Sequence, residues 1–157
     1  MAKGLWPVIN VDNVEKSVEF YKTIGLKATV EDADMPGAEG MTFGAINTGN
    51  ESGVIIWNKH NVPPDQANDT KAWVSGDLGK GIMLTIGVPN AQKCWTNAQK
   101  IRAEVDTPIE AQPWGGHGFN VVDPDGYVIN ITDKFPGMSS PKKKIARAAK
   151  KVARKAW

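Results

Sequence analysis

Along this chain, apolar positions alternate with polar ones in some stretches and recur every three to four residues in others. These two periods divide it into elements. Residues 5–11, LWPVINV, read as a strand. From Asp12 to Gly25, Val14, Ser17, Val18, Tyr21 and Ile24 fall on one helical face, the spacing of a helix that buries one side. Asp12 is the expected cap, with Glu15 three residues on, and Gly25 suits the left-handed residue that ends a helix. Strand patterns follow at 26–31, 41–47 and 53–58, separated by Gly, Asn and Asp.

Residues 59–80 are polar, contain Pro63-Pro64 and read as a linker or lid. The pattern then starts again. Residues 81–88 predict a strand, and 90–101 a helix with Ala91, Cys94, Trp95, Ala98 and Ile101 on its inner face. Strands recur near 104–113, 117–122 and 127–132, the last entered through the turn Asp123-Pro124-Asp125-Gly126. The inner positions of the second helix are those of the first shifted by 77, and Val11/Val88, Asn13/Asn90, Lys16/Lys93 and Ile24/Ile101 are identical under that shift. The order strand–helix–strand–strand–strand thus occurs twice.

"INVDNVEKSVEFYKTIGLK", "IMLTIGVPNAQKCW" and "WGGHGFNVVDPDGYVINIT" together resemble the vicinal oxygen chelate superfamily of glyoxalases, ring-cleaving dioxygenases and bleomycin-resistance proteins. The resemblance covers residues 5 to about 135. It implies an α+β fold of two βαβββ modules whose mixed sheets curl into a cup with the helices outside. We expect one domain over 1–135 (module one 5–58, linker 59–80, module two 81–135) and a basic C-terminal tail, helical, over 136–157.

Side chains on a strand point to alternate faces. One face collects Ile9, Val11, Ile55, Trp57, Ile82, Leu84, Ile86, Ile129 and Ile131, as a helix-covered face requires. The other collects Trp6, Val8, Asn10, Val54, Ile56, Asn58, Met83, Thr85, Gly87, Val128, Asn130 and Thr132, a mixture of bulky apolar and neutral polar groups suited to a binding cup.

In metal-using members the resemblance implies ligands, His, Glu or similar, from the first, fourth, fifth and eighth strands. The matching positions here are Trp6, Ile56, Met83 and Asn130. None brings imidazole, carboxylate or thiolate, so no metal and no cofactor is expected. His60 and His117 read first as turn or surface residues, with contact to a ligand or a role as base the alternative for each and His117 the one taken as a candidate site residue, and Cys94 reads as a core residue. Of the six Trp, Trp57 and Trp95 fall on predicted core faces, Trp73 lies in the linker, and Trp6 and Trp114 are candidates to stack on a planar ligand. Phe43 and Phe119 join them as candidate cup residues.

Charge divides the chain. Residues 1–141 hold 17 acidic and 11 basic residues, a formal charge of −6. Residues 142–157 carry Lys142, Lys143, Lys144, Arg147, Lys150, Lys151, Arg154 and Lys155 and no acid. That tail predicts a helix with a narrow stripe of Ile145, Ala149, Val152 and Ala156, able to touch nucleic-acid phosphates or an acidic protein surface. Its apolar stripe is too small for firm membrane anchoring. The apolar runs are too short to span a bilayer, the first six residues lack a secretory pattern, and a single Cys fits a reducing compartment; a cytoplasmic protein is expected.

The sequence favours a metal-free, homodimeric small-molecule binder of the bleomycin-resistance kind, holding an aromatic or amphipathic ligand, with antibiotic sequestration as one use. A lyase, isomerase or dioxygenase of the same superfamily, and a nucleic-acid accessory protein acting through the tail, are the competing readings.

Overall fold

A computed structural model describes residues 4–33, 39–49, 51–60 and 78–134. The elements run β1 (Val8–Val11), α1 (Val14–Ile24), β2 (Ala28–Asp32), β3 (Thr42–Gly49) and β4 (Ser52–Asn58), then β5 (Met83–Gly87), α2 (Ala91–Lys100), β6 (Glu104–Ala111), β7 (His117–Val122) and β8 (Val128–Thr132). Each set of four strands makes one mixed sheet, ordered β1-β4-β3-β2 and β5-β8-β7-β6. The first and last strands of each module run parallel and the other neighbours antiparallel. The fold is α+β with two βαβββ modules, as the doubled pattern predicts, and neither sheet closes into a barrel. Most of the expected linker, with Trp73, and the expected basic helix lie outside the described residues.

The repeat extends to the caps. Asn13, not Asp12, caps α1: its Oδ1 accepts from Lys16 N at 2.7 Å. Asn90 caps α2 in the same way, accepting from Lys93 N at 2.9 Å. Both Asn residues are extended, the geometry that aims a short side-chain acceptor at the unpaired N–H groups of the first turn. Asp12 instead pairs with Lys59 and His60 on the surface. Gly25 ends α1 in the left-handed region, as expected. Ile101, expected on the inner face of α2, is 41% exposed, because the helix stops at Lys100 and the chain turns through a positive φ at Arg102.

Register corrects the face assignment in β4. Ile9 pairs with Ile56 in the parallel ladder, and Gly44 pairs with Ile56 in the antiparallel one. A Cβ on Gly44 would meet Val18 of α1 and Ile56, so this is the helix-covered face. Val54 and Ile56 are buried there, and Asn58, partnered with Val11, shares their face. Ile55 and Trp57 therefore lie on the open face with Val8 and Asn10. The run Val-Ile-Ile-Trp is apolar at every position, so its parity is invisible without the partner strand. In module two the expected parity of β5 and β8 is the observed one: Ile86, Ile129 and Ile131 are buried under α2, and Asn130 faces away from them. Phe119 pairs with Ile131 and packs edge-on against Trp95, with ring centroids 5.3 Å apart. Its ring belongs to the core and not to the cup.

The modules are joined by the turn before β8. Tyr21 in α1 donates its hydroxyl to Asp123 Oδ2 at 2.6 Å. Asp125 accepts from Asp12 N and from Ser17 Oγ. Tyr127 OH donates to Asn10 O at 2.8 Å and accepts from Asn10 N at 3.1 Å. β1 is an end strand, and this hydroxyl occupies the backbone pair that Asn10 turns away from β4. Burial pushes the Asp123 carboxyl up, against hydrogen bonds from Tyr21, Tyr127 N and Asp125 N that pull it down. Burial and the neighbouring Asp123 push the Tyr21 hydroxyl well up, so it stays a donor.

Candidate functional site

Among the described residues, the two helices cover one face of each sheet and neither covers the other. On the sheet of module two, the open face of β5, β7 and β8 carries Met83, Thr85, Gly118, Asn120, Asn130 and Thr132. β6 adds Thr107, Glu110 and the following Gln112, and the Gly-rich turn adds Trp114. These residues line a cleft of about 440 Å³. The register of β6 slips between Val105 and Thr107, inserting Asp106 as an extra residue. Such a bulge re-aims side chains, and here it brings the Asp106 carboxylate within 3.2 Å of Asn120 Nδ2. Pro108 sits in this strand without cost because β6 is an end strand.

The floor of the cleft is a row of oriented amides. Asn130 Nδ2 donates to Asn120 Oδ1 at 2.7 Å, and Asn120 Nδ2 donates to Asp106 Oδ2 and to Thr107 Oγ1. Thr132 is almost fully buried, and its hydroxyl donates to Lys134 O at 2.9 Å. Trp114 Nε1 donates to the same carbonyl at 2.9 Å, which fixes the indole at the rim with one side exposed.

The structure brings Met83, Thr85, Trp114, Asn130 and Thr132 together, with the Phe119 backbone beside them. Trp6 is not among them: its ring lies over Gly53 on the other sheet and its Nε1 donates to Glu51 O. Phe43 is on the open face of that sheet too, opposite in parity to Gly44. Asn10 has open-face parity but is buried, and Tyr127 OH bonds its backbone. Ile56 and Asn58 lie on the helix-covered face, and His117 is exposed at the start of β7 with the parity of Phe119. Asn120, Thr107 and Glu110 are site residues that the sequence reading missed. Asn120 carried the same signal as Asn130, an amide within an apolar strand, in the neighbouring run HGFNVV.

A second cleft, about 680 Å³, lies between the modules where α1 ends and β5 leads into α2. Leu26, Ile46, Ile86, Val88 and Pro89 make much of its wall, and Lys27 and Asp133 are its charged side chains.

Two βαβββ modules, each with one helix-covered and one open sheet face, define the class of the protein. The sequence profile of the Glyoxalase/Bleomycin resistance protein/Dioxygenase superfamily matches residues 5–131, and the chain belongs to that superfamily. No curated protein matches it in sequence. Among solved structures it is similar to a hypothetical protein from S. aureus, at 19% identity and a TM-score of 0.61 over 84% of this chain and 94% of that one. A superfamily member from Sphaerobacter thermophilus is 20% identical, with a TM-score of 0.58 over 85% and 98% of the two chains. A glyoxalase I mutant from Zea mays is 18% identical, with a TM-score of 0.59 over 83% of this chain and 44% of its own. These likenesses show a shared fold.

Metal-using relatives raise the question whether this site fits a divalent transition ion. The cleft offers amides, hydroxyls, a thioether and one carboxylate, Glu110. Among the described residues no three His, Cys, Asp or Glu side chains converge. Ile55 and Trp57, which face outward on β4 where Ile56 was expected, add no donor. This set does not fit a Zn, Fe, Mn or Ni site. Among the described residues no helix is long and apolar enough to cross a membrane.

Proposed function

We propose that this chain is a metal-free small-molecule binding protein that works as a homodimer, with an aromatic or amphipathic ligand held between the open face of module one in one copy and the cleft of module two in the other. The observation that carries this reading is the composition of the cleft: neutral polar side chains on its floor, with Met83 and the fixed indole of Trp114 at its edge. Ligand pockets combine apolar walls with a few placed polar groups in this way. The open face of module one supplies the complement, since Trp6, Phe43, Ile55 and Trp57 all have open-face parity.

Dimerisation is favoured by the end strands. Leu5 (75% exposed), Trp6 and Val8 lie at β1, and Ile82 and Met83 (56% exposed) at β5. Two exposed apolar rims beside end strands are what a second copy covers. The buried, single Cys94 supports a cytoplasmic setting.

The test uses Nile red, a planar neutral dye whose emission rises in apolar surroundings. Binding with one site per chain, weakened in Trp114→Ala, supports the reading. Absence of binding, binding indifferent to Trp114→Ala, or a stoichiometric tightly held transition metal in protein purified without chelator overturns it.

A further inference from the structure

We infer that the cleft of module two is built to receive a hydrogen-bond donor, so that its ligand presents a protonated amine or a similar N–H group to Asn130 Oδ1. The inference rests on the proposed binding function and names the chemistry of what is bound.

The orientation of two amides carries it. Asn120 Nδ2 lies 3.2 Å from Asp106 Oδ2. An ionised carboxylate only accepts, so the Asn120 amide is fixed with its nitrogen toward Asp106. Its oxygen then faces Asn130, whose Nδ2 donates to it at 2.7 Å. The same Asn130 nitrogen lies 3.5 Å from the Phe119 carbonyl oxygen, a second group that only accepts. Both amides are therefore set by acceptors at fixed places and not by each other alone. The relay runs from Asp106 through Asn120 to Asn130 and ends on Asn130 Oδ1, which makes no hydrogen bond among the described residues. Each step aligns the next dipole, so a negative charge on Asp106 enriches the acceptor character of that oxygen.

Most other donors of the cleft are turned to protein oxygens, Gln112 Nε2 to Glu110 O among them, and the Thr85 hydroxyl, able to donate or accept, is the exception. Thr107 Oγ1 donates to Asp106, and Thr132 Oγ1 and Trp114 Nε1 both donate to Lys134 O. Among the described residues the group with full charge in the lining is the Glu110 carboxylate, again an acceptor. Among the described residues no Lys, Arg or His lines the cleft. The nearby Lys134 ammonium lies beside Gly115 in the turn, outside the lining. A ligand carboxylate or carbonyl placed at Asn130 Oδ1 would meet oxygen against oxygen there. A protonated amine would meet an oriented amide oxygen, and charge-assisted hydrogen bonds of this kind are the stronger ones.

The experiment compares three probes of one ring size, 1-naphthylmethylamine, 1-methylnaphthalene and 1-naphthoate. Affinities are measured at neutral pH in about 0.5 M salt, where long-range attraction by the acidic body is screened. The wild-type chain is expected to bind the amine at least about tenfold more tightly than the naphthoate. In Asn130→Leu, which changes no charge, that ratio falls toward one. In Asp106→Ala, an exposed position away from the ligand, it falls severalfold because the relay loses its anchor. Equal or tighter binding of naphthoate by the wild type overturns the inference, as does an amine preference left intact in Asn130→Leu. Tight binding of 1-methylnaphthalene without amine preference overturns this inference alone and leaves the aromatic site standing. Failure of all three probes to bind overturns the binding function and the inference with it.

Discussion

The hydroxyl of Tyr21 and the carboxylate of Asp123, 102 residues apart in sequence, meet at 2.6 Å in the buried seam between the modules. Burial alone would disfavour the charged carboxylate, and Tyr21 is one of the groups that holds it. In Tyr21→Phe the carboxylate loses this donor while staying buried. We expect a loss of about 1–3 kcal/mol, read by urea denaturation at pH 7, with the far-ultraviolet circular dichroism of the folded protein unchanged. A loss below a few tenths would show that solvent takes the place of the hydroxyl.

The same carboxyl sets a pH dependence. Burial raises its folded pKa above the ordinary aspartate value of 3.8. The folded state then binds the proton more tightly than the unfolded chain, so the contribution of this group to stability is largest below about 3.8 and falls as pH rises through the raised value. Asp123→Asn removes that titration. The stability of the wild type relative to Asp123→Asn should therefore decline as pH rises from 4 toward neutrality, in denaturation series at matched salt. A difference that grows with pH would mean that the hydrogen bonds outweigh burial.

Gly44 lies directly beneath α1 on the first sheet. A Cβ there would stand 2.7 Å from Val18 Cγ2 and 3.1 Å from Ile56 Cβ. Gly44→Ala should cost about 1–3 kcal/mol by overpacking. Val18→Ala removes the nearer atom, so the double variant should lose less than the sum of the two single losses. Strict additivity in thermal or urea unfolding would place the strain elsewhere.

The paired caps predict matched losses. Asn13→Ala and Asn90→Ala should each destabilise by about 1 kcal/mol. They cap separate helices in separate modules, so their effects should add. A marked inequality in equilibrium unfolding would show that one of the two helix starts is held by other contacts.

The proposed dimer predicts a change of mass on charging one rim. The wild type should sediment as a dimer, and Met83→Lys, at the exposed edge of β5, as a monomer with a little-changed far-ultraviolet spectrum. A wild-type monomer at the highest soluble concentration would remove the two-copy cup.

The elements and the duplicated order were legible in the sequence because helix and strand periods are local properties. β7 was expected at 117–122 and runs over those residues. Face assignment was legible where apolar and polar residues alternate, as around Asn130 in β8, and not in β4, where Val54, Ile55, Ile56 and Trp57 give no contrast. Asp12 and Asn13 are both good caps, and only the backbone geometry separates them. The role of Asn120 and Asp106 depends on a bulge in the neighbouring strand, and a register slip leaves no period to detect. Trp6 and Trp114 were grouped by residue type, yet they stand on different sheets.

The seam at Tyr127 has a consequence in time. Its hydroxyl occupies the outward backbone pair of Asn10, on a strand made 117 residues earlier. During synthesis from the N-terminus, the edge of β1 stays open until the last hairpin has emerged, although every strand of its own sheet is already present. Ribosome-stalled chains ending before Asp123 should therefore show protease cleavage near β1 that chains carrying the hairpin resist. The second half of the duplication thus acts as the late-arriving guard of the first.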